Sequence, residues 1–257
     1  MGMQRIVSLA PSATAIIRAL RGSEQLVGVT AHCEVEDIPR IGGWLNPDVG
    51  AIADLDPDLL LTNDPLQADL RDNLRDRGFD VAHEAPATLE AVLASFRTVG
   101  EAIGRPDRGA RLEQRAREYV EAVRAATPDG DERPVVYCEE WGDPPMAAGN
   151  WVPEAVAVAG GRYPFLEPGE RSCEVDRTAV EDADPDHAIV HHCGVSEPDP
   201  TELAKRDWAL DTQVHAIDDS LLNQPSPHLL AGIKRLARLV GGVDPNDLPG
   251  KPRAVDT

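Results

Sequence analysis

The chain has 257 residues, enough for one large or two small domains with an ample core. Its 45 acidic against 25 basic residues give a formal charge of −20, which excludes a nucleic-acid binder, because phosphates need a basic face. Only three of the 25 basic residues are lysine and 26 of the 45 acids are aspartate, a surface that suits a salt-rich cytoplasm and equally a plain acidic protein.

Met1 to Arg5 run directly into an apolar strand, with no apolar leader, no lipid-attachment cysteine and no run long enough to cross a membrane. The chain as written is therefore expected in the cytoplasm, or outside it if a leader precedes this sequence. Residues 5–9 read as a buried strand, and Pro11-Ser12 starts a helix with Ile16, Ile17 and Leu20 on its apolar side. Val27–Thr30 is a second strand, followed by Ala31–Glu34 and a loop from Pro39 to Pro47 that carries Trp44. Leu59–Thr62 is a third strand, Leu66–Arg77 a helix, and Phe79–His83 a fourth strand. Thr88 caps a helix with Leu89, Val92, Leu93, Phe96, Val99 and Ile103 on one side. A long helix follows from Pro106 to Ala126, its apolar positions Leu112, Ala116, Tyr119, Val120 and Val123 forming one face.

Beyond this helix the plan recurs. Strand Val135–Cys138 leads into a loop from Glu139 to Asn150 and a helix Pro153–Ala159. Strand His187–His191, a helix near Thr201–Trp208, strand Gln213–Ile217 and an amphipathic helix Pro227–Val240 complete it. The pattern D-x-x-A-[IV]-x-D-x-D-P-D stands at Asp48–Asp58 and again at Asp176–Asp186, 128 residues later, each copy running into an apolar strand. One long offset means two similar lobes rather than a solenoid. Alternating strands and helices imply an α/β fold with parallel sheets. The expected organisation is an N-terminal lobe over 1–104, a bridging helix over 105–128, a C-terminal lobe over 129–241 and a loose tail over 242–257.

Ligands bind beyond the carboxyl ends of strands in open parallel sheets. Those ends carry Pro11-Ser12, His32-Cys33 and Asn63-Asp64 in the first lobe. In the second they carry Glu139–Asn150, His192-Cys193 and Asp218-Asp219-Ser220. Trp44, Trp141 and Trp151 fall in or beside these loops, either as flat platforms for a large ligand or as closures of their own lobe's core. Trp208 reads as structural. His191-His192-Cys193 with His32-Cys33 offers imidazole and thiolate for zinc or a cobalt axial position, or packs as strand-end His and free Cys. Ser12 offers free helix N–H groups to an anion or amide, or is an ordinary N-cap. Glu139 and Glu140 fit acid–base groups, ligand acceptors or solvated side chains. Cys33, Cys138, Cys173 and Cys193 form no C-x-x-C pair, and no G-x-S-x-G, P-loop or G-x-G-x-x-G occurs.

Arg5–Thr14, Leu26–Thr30, Leu55–Leu61, Thr88-Leu89-Glu90 and Val99-Gly100 resemble the first lobe of the cobalamin-binding, periplasmic-type receptors. Glu140–Glu154, Ala159-Gly160-Gly161 and Asn223–Leu230 resemble the second lobe of a leaderless branch of that family. The resemblance implies two Rossmann-like lobes bridged by a rigid helix, with a corrinoid or similar metal chelate held between them and no covalent cofactor. It implies that Trp44 and His32 contact the ligand; this chain's own strand-end and loop residues Ser12, Cys33, Glu140, Trp141, Asn150, Trp151 and Asn223 are further candidates. Transporter-docking members pair one glutamate per lobe with arginines of an ABC permease; those positions fall here on Gly50 and Thr178, with Asp48 and Asp176 two residues earlier. The family's second-lobe tryptophan falls near Ser172. The expected function is a non-enzymatic solute-binding protein for a corrinoid. Alternatives are an iron–siderophore or haem receptor, or a cytoplasmic metal or thiol enzyme using His32, Cys33, His192 and Cys193.

Overall fold

The computed structural model describes residues 2–128, 130, 132–244 and 247; the rest of the expected tail over 242–257 lies outside them. The first lobe runs β1 (Ile6–Ser8), α1 (Pro11–Ala19), β2 (Leu26–Val29), α2 (Val49–Asp54), β3 (Leu59–Asn63), α3 (Ala68–Asp76), β4 (Val81–Glu84) and α4 (Leu89–Ala102). Its sheet is fully parallel in the order β2-β1-β3-β4. Ile6, Leu59 and Leu61 face one buried cluster while Val7 and Leu60 face another, the two-sided burial that a parallel sheet requires.

Helix α5 (Pro106–Ala126) buries the predicted face of Leu112, Ala116, Tyr119, Val120 and Val123. It packs along α4, and the two backbones meet at paired glycines. A Cβ on Gly100 would come within 2.7 Å of Gly109 Cα, and one on Gly109 within 2.9 Å of the Phe96 carbonyl. Only glycine permits that approach.

The second lobe runs β5 (Val136–Gly142), β6 (Pro145–Ala147), α6 (Val152–Val158), β7 (Cys173–Glu174), α7 (Arg177–Ala183), β8 (His187–Val190), α8 (Thr201–Ala204), β9 (Gln213–Ala216) and α9 (Leu229–Leu239). Here the expectation of a wholly parallel sheet fails. The order is β7-β6-β5-β8-β9, with β6 and β7 antiparallel. The stretch expected as a loop from Glu139 to Asn150 is largely a hairpin, because the chain reverses at Asp143-Pro144 and Pro145–Ala147 pairs back onto Glu139–Gly142.

The Asp-rich repeat turns out to be a structural unit containing a short helix, which its sequence reading missed. Asp48 caps α2 by accepting the Ala51 N–H at 3.0 Å, and Asp176 stands at the same position before α7, where it makes no side-chain cap bond. The last aspartate of each copy does the same work in its lobe. Asp58 accepts the Arg5 N–H at 2.7 Å and Asp186 accepts the Val135 N–H at 2.7 Å, tying each lobe's first strand to the strand that follows the repeat. Two further boundaries differ: α8 stops at Ala204, so Trp208 packs from a loop, and α9 starts at Leu229.

One core cluster runs from Ile6 and Ile16 through Phe96, Leu112 and Val120 to Val156, Ile233 and Leu236, joining both lobes through α4, α5, α6 and α9. Polar ties reinforce it. Glu154 in α6 accepts the Leu89 N–H at the start of α4 at 2.5 Å, and Thr127 at the end of α5 donates to the Val158 carbonyl at 3.0 Å. Overpacking the helix crossing therefore strains both lobes at once. Gly109→Val is expected to cost about 1–3 kcal/mol and to lower Tm by roughly 2–4 °C per kcal/mol in a calorimetric scan.

Candidate functional site

The carboxyl ends of the two sheets face one another. Asn63, the last residue of β3, donates through Nδ2 to the Pro225 carbonyl of the second lobe at 3.3 Å. Asp64 follows it, accepts the Leu66 N–H at 2.8 Å, and lies within the electrostatic reach of Arg171 and Glu140 from the other lobe. On the first-lobe side Gln67 is fully buried and donates to the carbonyls of Leu9 and Trp44, both at 2.8 Å. That bond fastens the half-buried Trp44 loop to the carboxyl end of β1. In the second lobe, Trp141 at the end of β5 is 46% exposed, its indole N–H turned back to the Asp143 carbonyl at 2.9 Å.

Adjacent glutamates on β5 have opposite fates, because successive strand residues point to opposite faces. Glu139 shares a face with Tyr137 and is fully buried. Arg206 binds it through both nitrogens at 2.5 and 2.9 Å, with His192 Nε2 at 2.9 Å and the Tyr137 hydroxyl at 2.9 Å. Burial, then the Glu139 charge and hydrogen bond, hold the Tyr137 phenol well above its ordinary range. Arg206 also donates to the Gly142 carbonyl at 2.9 Å and lies 5.0 Å over the Trp208 ring, so this ion pair braces the hairpin that carries Trp141.

Glu140 turns to the other side. It accepts from the Ser172 hydroxyl, and from the Cys193 thiol at 3.5 Å. Asn223 donates through Nδ2 to the His191 carbonyl at 2.8 Å and to Cys193 Sγ at 3.3 Å. These two donor contacts orient its carboxamide, so Asn223 Oδ1 accepts from His191 Nδ1. The imidazole then carries its proton on Nδ1, and burial lowers its basicity so that it stays neutral. Among the described residues, buried His191 Nε2 has no hydrogen-bond partner, and neither has Asn63 Oδ1.

Several expected site residues lie elsewhere. Trp151 is no platform: it is 5% exposed in the shared core, and its indole N–H donates to the Leu222 carbonyl at 2.7 Å. Cys33 is a core residue, its thiol enclosed by the hydroxyls of Thr14 at 3.1 Å and Thr30 at 3.2 Å. Ser12 is not the N-cap of α1; Ala10 is, and Ser12 lies inside the first turn, 4% exposed. Asn150 takes a left-handed turn at φ 55°, its N–H and carbonyl tied to Glu170 and Gly169. His32 is exposed.

The metal expectation for His192 and Cys193 also changes. Their side chains go to different carboxylates, Glu139 and Glu140, and among the described residues no group of three or more His, Cys, Asp or Glu is placed to hold a metal ion. Burial and the Glu140 carboxylate push the Cys193 thiol up to about 12, the reverse of an activated nucleophile. Sequence reasoning missed Arg171 and Arg206, and read His191 as a metal ligand or strand-end packing group rather than as a hydrogen-bonded neutral imidazole. His191 meets Asn223 32 residues on, Arg206 meets Glu139 67 residues back, and Arg171 acts on Asp64 of the other lobe, so no local pattern marks these roles.

The periplasmic binding protein family model matches residues 6–213. The chain belongs to the periplasmic binding protein family. It is 26% identical over 256 residues to a cobalamin-binding protein of Halobacterium salinarum, covering 91% of this chain and 68% of that relative. It is 23% identical over 251 residues to a vitamin B12-binding protein of Vibrio cholerae, covering 91% and 87%. Among solved structures, the apo periplasmic heme-binding protein RhuT of Roseiflexus sp. RS-1 superposes with a TM-score of 0.80 at 25% identity, covering 96% of this chain and all of that one. The periplasmic vitamin B12 binding protein BtuF of Vibrio cholerae has the same fold, with a TM-score of 0.71 at 19% identity, over 92% and 96%. The two-lobed architecture is thus that of the family, and no described helix is long and apolar enough to cross a membrane.

Two outcomes test this geometry. Arg206→Met leaves Glu139 buried without its bidentate partner and is expected to cost about 3–5 kcal/mol in a denaturant titration, with much of the loss recovered when Glu139→Gln is added. Asp64 is the second. Burial raises its carboxyl in the folded state, with Glu140 adding to the effect and Arg171 opposing it. Its charged form therefore costs stability above the folded value, and the cost disappears below the unfolded value of about 3.9. Asp64→Asn keeps the acceptor for the Leu66 N–H, so its Tm is expected to exceed that of the parent at pH 7 and to match it near pH 3.

Proposed function

We propose that this chain is a non-enzymatic receptor that holds a corrinoid between its lobes. The observation that carries the reading is that each lobe carries a tryptophan at the carboxyl end of its sheet, Trp44 on a loop whose backbone Gln67 fastens and Trp141 exposed on the braced hairpin. Flat apolar side chains from both lobes, together with the polar groups at the strand ends, suit a large planar ring with polar substituents. The relatives whose names refer to cobalamin or vitamin B12 match along 91% of the chain, which supports the same ligand class. His32, exposed beside the Trp44 loop, and Asn223, at the floor, are assigned to the same ligand, and Glu140 to its polar edge.

A haem reading stands second, on the likeness in fold to a heme-binding protein. Delivery to a permease through a paired glutamate contact is no part of the proposal. The two positions carry Gly50 and Thr178, both exposed in the first turns of α2 and α7, and Asp48 is engaged as a helix cap.

Titration of the protein with cobalamin, cobinamide and haem in molar KCl, followed by tryptophan fluorescence, tests the assignment. Saturable quenching by a corrinoid at micromolar or lower concentration is expected, weakened about tenfold in Trp44→Ala, the equivalent of about 1.4 kcal/mol. Binding of haem with both corrinoids ignored would replace the first reading by the second.

A further inference from the structure

The floor of the cleft has an unusual hydrogen-bonding balance. From the first lobe come the Asn63 carboxamide, fully buried, and the Asp64 carboxylate. Asn63 donates to Pro225 across the junction, and among the described residues its Oδ1 has no partner. From the second lobe come the Glu140 carboxylate and the imidazole of His191, itself fully buried. Asn223 fixes the His191 proton on Nδ1, so its unpartnered Nε2 is an acceptor as well. The Glu140 oxygens already accept from Ser172 and Cys193. Against these acceptors stands the Arg171 cation, which acts on Asp64.

Buried acceptors without donors are costly, and a ligand that supplies the donors removes that cost. A primary carboxamide brings two N–H groups. A carboxylate brings none, adds further lone pairs, and sets a negative charge against Asp64 and Glu140. Sites built around hydrogen bonding reject an isostere lacking the matching group far more strongly than apolar pockets reject a methylene.

We propose that Asn63, Asp64, Glu140 and His191 form a carboxamide-selective subsite, which admits a macrocycle bearing primary amides and rejects the same macrocycle bearing carboxylates. This rests on the corrinoid reading above and adds to it the feature of the ligand that is recognised. It also separates the two ligand classes of that reading, since haem presents carboxylates to whatever surrounds its edge.

The test compares cobinamide with cobyrinic acid, the corresponding ring with its amides hydrolysed. Molar KCl screens the general repulsion of anions by a chain of net charge −20, leaving the local effect. The parent protein is expected to bind the amide form at least 100-fold more tightly. In Glu140→Gln and in Asp64→Asn, whose new amides donate, that ratio is expected to fall at least tenfold, chiefly through tighter binding of the acid form. Trp44→Ala is expected to weaken both ligands in proportion and leave the ratio unchanged. Equal affinity of the parent for both forms, or a ratio that survives both substitutions in proteins whose melting curves show them folded, would overturn the subsite while leaving the corrinoid reading intact. Failure of the corrinoid reading looks different: neither ring form quenches, and tight binding of haem by the parent would overturn both proposals.

Discussion

The two lobes share one continuous apolar core, and that continuity constrains everything above it. Helix α5 lies against α4 of the first lobe and against α6 and α9 of the second, and the buried cluster passes through it without a break. A hinge between the lobes would have to expose part of this cluster, at roughly 25 cal/mol for each Å² uncovered. The glycine crossing of α4 and α5 brings the backbones too close for side chains to slide between them. Glu154 then fastens the start of α4 from the opposite lobe. The cleft is therefore largely preformed, and its chemistry is set by which side chains the strand ends deliver to it.

That delivery depends on strand alternation in the second lobe. Glu139 and Glu140 are neighbours in sequence, yet one is a buried ion-pair partner in the outer packing layer and the other faces the cleft. The buried member bears on function indirectly, since Arg206 links Glu139 to the Gly142 carbonyl and so to the Trp141 hairpin. A buried carboxylate is tolerated only with its hydrogen-bonding capacity filled, which Arg206, His192 and Tyr137 together achieve. Cys193, by contrast, is held protonated first by burial and then by the cleft-side carboxylate. A thiol beside Glu140 is held protonated, so the residues that looked like a metal or thiol centre act as parts of a hydrogen-bonded chain.

The long bridging helix and the two-lobed α/β plan were legible in the linear chain. The repeated Asp-Pro-Asp pattern was a sound guide for a reason that only the coordinates reveal. Asp58 and Asp186 occupy equivalent positions and accept equivalent backbone N–H groups, so the same residue makes the same tie in each lobe. The hairpin at Glu139–Ala147 escaped notice because β6 has three residues, too few to show a period.

What the sequence by itself determined were the features written in local periodicity and capping: the apolar stripe of α5, the Thr88 cap of α4, and the parallel first sheet with its two-sided burial. What only the tertiary structure decided was which of several chemically equivalent residues reaches the cleft. Trp151 and Trp141 are ten residues apart and alike in type, yet Leu222 draws one into the core while the hairpin leaves the other exposed. Cys33 disappears between two threonines while Cys193 meets Glu140. His191, flanked by another histidine, becomes a bare acceptor because Asn223, 32 residues on, holds its other nitrogen. Local sequence sets backbone conformation through interactions a few residues long. The burial and hydrogen-bonding state of a side chain is set by partners that come near only when the whole chain has packed.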